Sequence, residues 1–100
     1  MSTKEKVQFP LGQILATPGA LEALERNKTT GIEYIRRHAT GDWGVLSPED
    51  HEANQEALRT GARILSAYLL VDETKIWIIT EAADDSGRRV ATTLLLPDEY

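Results

Sequence analysis

The sequence predicts an α+β fold, in which three N-terminal helices pack on a C-terminal three-stranded antiparallel β-meander, with a short N-terminal edge strand if that segment pairs. Two observations lead to this prediction. Three helix-start signals occur before residue 50, and from residue 63 onward leucine and β-branched residues form short runs separated by turns. The length of 100 residues suits one domain. We expect it to span residues 7–100, after a disordered tail at residues 1–6.

Local signals place a strand and then a helix in the first 27 residues. Residues 7–16 are rich in apolar side chains but are interrupted by a proline, which cannot donate to a neighbouring strand. A short or irregular strand at a sheet edge is therefore expected. Thr17 and Pro18 then start a helix that reaches about Asn27, because threonine caps with its hydroxyl and proline suits the first helical position. Its predicted apolar stripe is Ala20, Leu21 and Leu24.

Two further helices are expected before residue 61. Thr30 and Glu33 match a capping box, which starts a helix over residues 31–39. The buried face of this second helix is predicted to be Ile32, Ile35 and Ala39. A Ser-Pro pair starts a third helix over residues 47–60. A peripheral position is indicated by its thin apolar face, Ala53, Ala57 and Leu58.

Three strands are expected at residues 64–71, 75–81 and 90–96, with turns at 72–74 and 84–87. Apolar side chains occupy both alternating positions of the second strand, whereas a sheet with one face in water alternates apolar and polar residues. We therefore expect both faces to be covered, one by the first two helices. The other would be covered by the N-terminal segment, by the third helix or by another subunit, so a homodimer is one of the alternatives that the sequence leaves open.

Some polar and aromatic residues allow a structural or a functional interpretation. Trp43 lies between glycines in the loop before the third helix, and a core position is the better prediction for a small domain. Hydroxyl groups also occur among the apolar strand residues, where a polar patch or cross-strand hydrogen bonds would explain them equally well. They belong to Ser66, Tyr68, Thr80, Thr92 and Thr93.

The sequence contains no catalytic constellation. It has no cysteine, and no nucleophile elbow, phosphate-binding loop or His-Glu-x-x-His motif occurs. Glu73 and Lys75 match half of a nuclease pattern, but they fall in a predicted turn, where charged residues are ordinary. His51 lies among acidic residues that suit the first turn of a helix better than a metal site. We therefore expect no catalytic residue, no metal and no cofactor. A non-enzymatic protein is favoured, and an enzyme of unrecognised type, such as a nuclease using Glu73 or Glu81, stays an open alternative.

Charge is distributed unevenly along the chain. The net charge is -5, which argues against a purely electrostatic nucleic-acid binder. Residues 1–40 carry six basic and four acidic side chains, and the remaining residues carry five and twelve. The acidic excess predicts a surface for a basic protein partner. Its candidate residues are Glu49, Asp50, Glu52 and Glu56 of the third helix, and Asp84 and Asp85 of the last turn.

Nucleic-acid binding by a helix-turn-helix is the alternative. The second helix would present Tyr34, Arg36, Arg37 and His38. These residues lie at the end of that helix, whereas a recognition helix reads bases mainly from its start. Cations at a helix end also suit the helix dipole. Nucleic acid is therefore the less favoured partner.

The expected location is the cytoplasm. No secretion signal is recognisable. The longest apolar run, at residues 68–71, is far shorter than the ~20 residues of a membrane span. We expect no membrane contact.

Several stretches within residues 8–100 resemble a known family. They are LGQILATPGALEAL, GDWG, the acidic helix with Asn54, GARILSAY, IWIITE and TTLLLPDEY. These stretches resemble small "plasmid-related" proteins encoded on bacterial plasmids, integrative elements and prophages. The resemblance implies an accessory role such as regulation, plasmid maintenance or defence evasion, and it brings no catalytic or binding residues. The leading hypothesis is a non-enzymatic mobile-element protein whose acidic surface binds and blocks a basic host defence or regulatory complex.

Overall fold

The computed structural model describes residues 6–100. Residues 1–5, which hold most of the predicted disordered tail, lie outside the described residues. The elements follow one another as β1 (Gln13–Ala16), α1 (Pro18–Arg26), α2 (Gly31–Ala39), α3 (Pro48–Thr60), β2 (Ile64–Leu69), β3 (Lys75–Thr80), β4 (Ala91–Leu95) and a 3₁₀ turn at Pro97–Glu99.

The sheet differs from the predicted one. It has four strands in the order β1-β4-β3-β2, and β1 pairs parallel to β4, with Gln13 beside Ala91. The prediction of three N-terminal helices on a three-stranded antiparallel sheet is therefore wrong. The sheet is mixed, and one of its strands precedes the helices. The error arises because this pairing joins opposite ends of the chain, and a periodicity read along short windows carries no information about such pairs.

The predicted helix positions are confirmed. Thr17 Oγ1 accepts the Ala20 N–H and Ser47 Oγ accepts the Asp50 N–H, so both caps form as expected. Gly61 ends α3 in a left-handed conformation. Helix α2 also begins where predicted, but Thr30 makes no side-chain cap hydrogen bond. The proposed capping box is therefore wrong, although the helix start is right.

The core lies between one face of the sheet and the helices. One cluster joins α1 to the centre of the sheet, and a second surrounds Trp43, whose predicted core position is confirmed. Two residues predicted to be buried are instead exposed: Leu21 on α1 and Ile32 on α2. On the opposite face of the sheet, Trp77 packs edge-on against Tyr100, so the C-terminal turn covers part of that face.

Candidate functional site

An apolar groove with a volume of about 450 Å³ lies beside α2. One wall comes from α2, through Ile32, Ile35, Arg36 and Ala39. The other wall comes from the N-terminal segment and β1, through Val7, Leu11 and Ile14. Three of these side chains are largely uncovered within the described chain: Ile32 is 74% exposed, Val7 68% and Ile14 44%.

The helical repeat creates the first wall. Ile32, Ile35 and Ala39 are spaced three and four residues apart, so they share one face of α2. This is the face that the sequence predicts to be buried. Ala39 is buried, but Ile32 is exposed. The sheet ends at β1, so within residues 6–100 no further strand packs beside this end of the helix. The predicted buried face therefore forms a groove wall.

Hydrogen bonds fix the second wall in place. The Gln8 N–H donates to the Ala39 carbonyl oxygen at 2.8 Å, which ties the N-terminal segment to the end of α2. Thr92 Oγ1 donates to the Leu11 carbonyl oxygen at 2.7 Å. Between these two points Phe9 is buried against Trp43. Both walls are therefore held by the core, and the groove is present without a ligand.

Strand β1 leaves one side of its backbone unpaired. The N–H groups of Gln13 and Thr17 donate to carbonyl oxygens along the β4 chain, each at 3.0 Å. Residues of a parallel strand alternate in the direction of their hydrogen-bonding groups. The N–H and C=O groups of Ile14 and Ala16 therefore point away from the sheet. Within the part of the chain that the structure describes, no strand pairs with them.

The opposite edge of the sheet is closed. The Asn54 side chain bonds to the backbone of Leu65 on the outer side of β2. Two residues further along, the Ala67 N–H donates to the Trp43 carbonyl oxygen, and the Ala67 carbonyl oxygen accepts the Val45 N–H. Such covering is how soluble proteins keep a strand edge from pairing with other chains. Among the described residues, the edge of β1 beside the groove is therefore open, whereas the edge of β2 is protected.

The one deeply buried histidine belongs to a hydrogen-bonded chain in the core. His38 Nδ1 lies 2.5 Å from Ser66 Oγ, and its Nε2 lies 2.8 Å from Thr80 Oγ1. Thr80 Oγ1 is in turn 2.6 Å from Thr92 Oγ1, across neighbouring strands. Burial lowers the pKa of His38 to about 3, so the imidazole is neutral and has no access to solvent. Cross-strand hydrogen bonding thus explains the hydroxyls of Thr80 and Thr92, whereas the Ser66 hydroxyl bonds to His38 on α2.

Arg89 has a structural position in spite of its charge. Its Nη1 donates to the carbonyl oxygens of Ala62 at 2.8 Å and Glu81 at 3.0 Å, and its Nη2 donates to that of Ala57 at 3.2 Å. The guanidinium also lies over the Phe9 ring, 5.7 Å from its centroid. One side chain thus joins the last turns of α3 to the loop before β2 and to the residue that follows β3.

The predicted acidic residues lie at the two ends and along the length of α3. Glu49 and Asp50 occupy the first turn of α3. Asp84 and Asp85 lie at the other end of that helix, in a polar depression that Arg59 also lines. Hydrogen bonds from Ser86 hold the pKa of Asp84 below its usual value. Within residues 6–100 no cluster of three or more potential metal ligands forms. The predicted residues Glu52 and Glu56 are exposed on α3 between these two groups.

The residues of the nucleic-acid alternative do not share one surface. His38 is fully buried and bonded to the sheet. Tyr34 packs partly buried against the core. Arg37 pairs with Asp42 at 2.7 Å and stacks over the Tyr68 ring at 4.7 Å. Arg36 lines the groove.

Glu73 of the nuclease-like pair lies where the sequence places it, in a turn, whereas Lys75 is the first residue of β3. The Glu73 N–H donates to the Leu70 carbonyl oxygen in the loop between β2 and β3. Glu73 has a positive φ of 70°, as residues in tight turns often do. The predicted turn is confirmed at this position.

Comparison of the chain with models of known families, with curated proteins and with solved structures gave no match. Among residues 6–100, no helix is both long and apolar enough to span a membrane.

The sequence alone does not indicate the groove. Its walls come from Val7, Leu11 and Ile14 on one side and from α2 on the other. The available signals were the apolar N-terminal segment and the apolar face of α2, each of which also suits burial. Only the position of β1 at the end of the sheet leaves them exposed together.

Proposed function

We propose that this chain is a non-enzymatic protein-binding module and that the groove beside α2 receives an apolar segment of its partner. The observation that supports this most strongly is the joint exposure of Ile32, Val7 and Ile14 around one groove. Contiguous exposed apolar surface on a small protein is typical of an interaction site. The groups that could act in catalysis give little support to an enzymatic function, since His38 is neutral and buried and Arg89 is bonded to backbone carbonyls.

The biological setting is a further part of the proposal. The resemblance to plasmid-related proteins supports a role as an accessory protein of a mobile genetic element. A host defence or regulatory complex is the class of target that we propose, with binding as the means of blocking it. The acidic residues of α3 and of the turn before β4 are proposed as a second contact, for a basic surface of the same target.

Charge substitutions can separate the groove from the acidic surface. Ile32→Glu places a carboxylate in the groove at an exposed position, so the fold should tolerate it. Val71→Glu is the matched control, because Val71 is also apolar, is 92% exposed and lies in the turn after β2. Glu49→Lys combined with Glu52→Lys reverses charge on α3 alone.

The measurement is capture of proteins from a bacterial lysate on each immobilised variant, followed by binding of the purified candidate. We expect a candidate that binds wild type and Val71→Glu with equal Kd and loses at least about tenfold in affinity for Ile32→Glu. Reversal of charge on α3 should lower the association rate constant at low salt. At high salt, where surface charges are screened, it should change Kd little. Equal binding to Ile32→Glu and wild type would remove the groove from the proposal.

A further inference from the structure

We propose that the partner enters the groove as an extended segment that pairs with the free edge of β1 and becomes a fifth strand of the sheet. This inference rests on the proposed function and adds the conformation and the side-chain pattern of the ligand. It is carried by one juxtaposition: Ile14 lines the groove, and its own backbone groups point outward beside it.

The backbone of β1 supplies the first requirement. Ile14 and Ala16 present two N–H and two C=O groups toward solvent, within the part of the chain described here. A strand laid along this edge satisfies them with main-chain hydrogen bonds, which depend little on the sequence of the ligand. An α-helical ligand has its own backbone groups paired internally and could not satisfy them.

The groove supplies the specificity. Successive side chains of a strand point to opposite faces, so every second residue of the ligand lies on the same face as Ile14. On that face it meets the apolar groove. The ligand class is therefore an extended segment with apolar residues at alternate positions.

A second copy of this chain is a poorer occupant. Two β1 strands can pair antiparallel so that Ile14 and Ala16 of both copies bond. In the register that bonds Ile14 and Ala16 of one copy only to Ile14 and Ala16 of the other, Ala16 lies opposite Ile14. A methyl group would then enter a groove of about 450 Å³, which leaves most of it unfilled. A partner with leucine, isoleucine or phenylalanine at this position fills it better.

Peptide selection on the full chain tests the inference. The probe is a phage-displayed library of random peptides of about seven residues, a length that spans β1 and its flanks. Clones that also bind Ile32→Glu are discarded, and the best remaining peptide is synthesised. We expect the enriched sequences to share apolar residues at alternate positions, and the free peptide to bind the wild-type chain.

N-methylation of single peptide bonds in that peptide reads out the pairing. In a bound strand, alternate N–H groups face β1, so N-methylation should weaken binding at least about tenfold at every second position and little at the positions between. Hydrogen exchange gives the matching readout on the protein. The amides of Ile14 and Ala16 should gain protection on binding, while that of Val71 should not change.

The outcomes separate this inference from the proposed function. A peptide that requires Ile32, yet leaves the Ile14 and Ala16 amides unprotected or shows apolar residues spaced three and four apart, overturns strand addition and leaves the groove as the binding site. A library that yields no peptide dependent on Ile32 also overturns the inference. If the lysate experiment finds no groove-dependent partner either, the proposed function fails with it.

Discussion

The side-chain amide of Asn54 bonds to both backbone groups of Leu65. Its Nδ2 donates to the Leu65 carbonyl oxygen at 2.6 Å, and its Oδ1 accepts the Leu65 N–H at 3.1 Å. A carboxamide carries a donor and an acceptor in the same arrangement as a peptide group. Asn54 therefore occupies the place of a neighbouring strand at this point of β2. The sheet is closed here by a side chain and left open along β1.

Asn54→Ala should destabilise the protein. The substitution leaves the Leu65 N–H and C=O without partners at a site where Asn54 is 3% exposed. Unpaired buried polar groups cost about 1–3 kcal/mol each, so we expect a loss of about 2–3 kcal/mol in the free energy of unfolding. Urea denaturation measures it. Gln55→Ala, at the exposed neighbouring position, should change stability by less than about 0.5 kcal/mol.

Gly44→Ala should be far more damaging than Gly87→Ala. Both glycines have positive φ, 80° and 86°, so alanine is strained at either position. A Cβ at residue 44 would lie 1.9 Å from the Ala67 carbonyl oxygen, whereas none of the described atoms lies within 4 Å of one at residue 87. We expect about 1 kcal/mol at residue 87 and about 3 kcal/mol or more at residue 44, measured by urea denaturation. Equal losses of unfolding free energy in the two variants would show that the close approach of residue 44 to β2 does not contribute to stability.

Replacement of Arg89 by methionine should destabilise the protein, because its guanidinium joins three separate segments of the chain. Arg89→Met keeps most of the apolar stem but removes the guanidinium donor from the carbonyl oxygens of Ala57, Ala62 and Glu81, of which Ala57 keeps its hydrogen bond from the Gly61 N–H. Hydrogen bonds to charged groups contribute about 1.5–3 kcal/mol, and we expect a loss of about 3 kcal/mol. Arg88→Met, at the exposed adjacent residue, is the control. A thermal melt of each variant gives the comparison.

Stability should fall as the pH is lowered from 6.5 toward 5, because of His38. Burial lowers its pKa in the folded protein to about 3, from 6.5 in the unfolded chain. Below pH 6.5 the unfolded chain binds a proton that the folded protein does not, so protons favour unfolding. Each pH unit in this window costs up to about 1.4 kcal/mol. At pH above 6.5 the effect is absent.

Carboxylates do not account for that window. Hydrogen bonds lower the pKa values of Asp42, Asp84 and Glu99 in the folded protein. The stability that these carboxylates contribute is therefore lost only at a pH more acidic than this window. Urea denaturation of the wild-type chain at several pH values between 8 and 5 measures this slope. An NMR titration in which the His38 ring protonates near pH 6 would contradict the assignment.

The helices could be predicted because their signals are local. The Thr17 and Ser47 caps and the Gly61 stop each act within one helical turn, so a few residues are enough to read them. The strand β1 is different. Its parallel orientation and its place in the sheet are set only by pairing with β4, at the other end of the chain. The same is true of Glu99, whose carboxylate accepts the Thr17 hydroxyl and the Gly19 N–H across almost the whole sequence.

The candidate site depends on the same long-range pairing. Ile32 and Ile35 follow a helical repeat that predicts burial, and only the end of the sheet at β1 makes Ile32 a surface residue. Asn54 shows the reverse case. A polar residue on an exposed helix is ordinarily a surface residue, and its burial against Leu65 follows from the position of β2.

The association state gives the last prediction. We expect a monomer of 11.1 kDa, because pairing of two β1 strands would leave the groove largely unfilled and would use only four residues of each copy. Sedimentation equilibrium over a range of concentrations measures it. Ile14→Lys puts a charge on the strand edge, which opposes any pairing there, and it should leave the mass unchanged. A wild-type dimer that Ile14→Lys dissociates would make a second copy the occupant of the edge. A dimer that Ile14→Lys leaves intact would place the contact elsewhere, and the exposed Tyr100 beside Trp77 would be the next position to substitute.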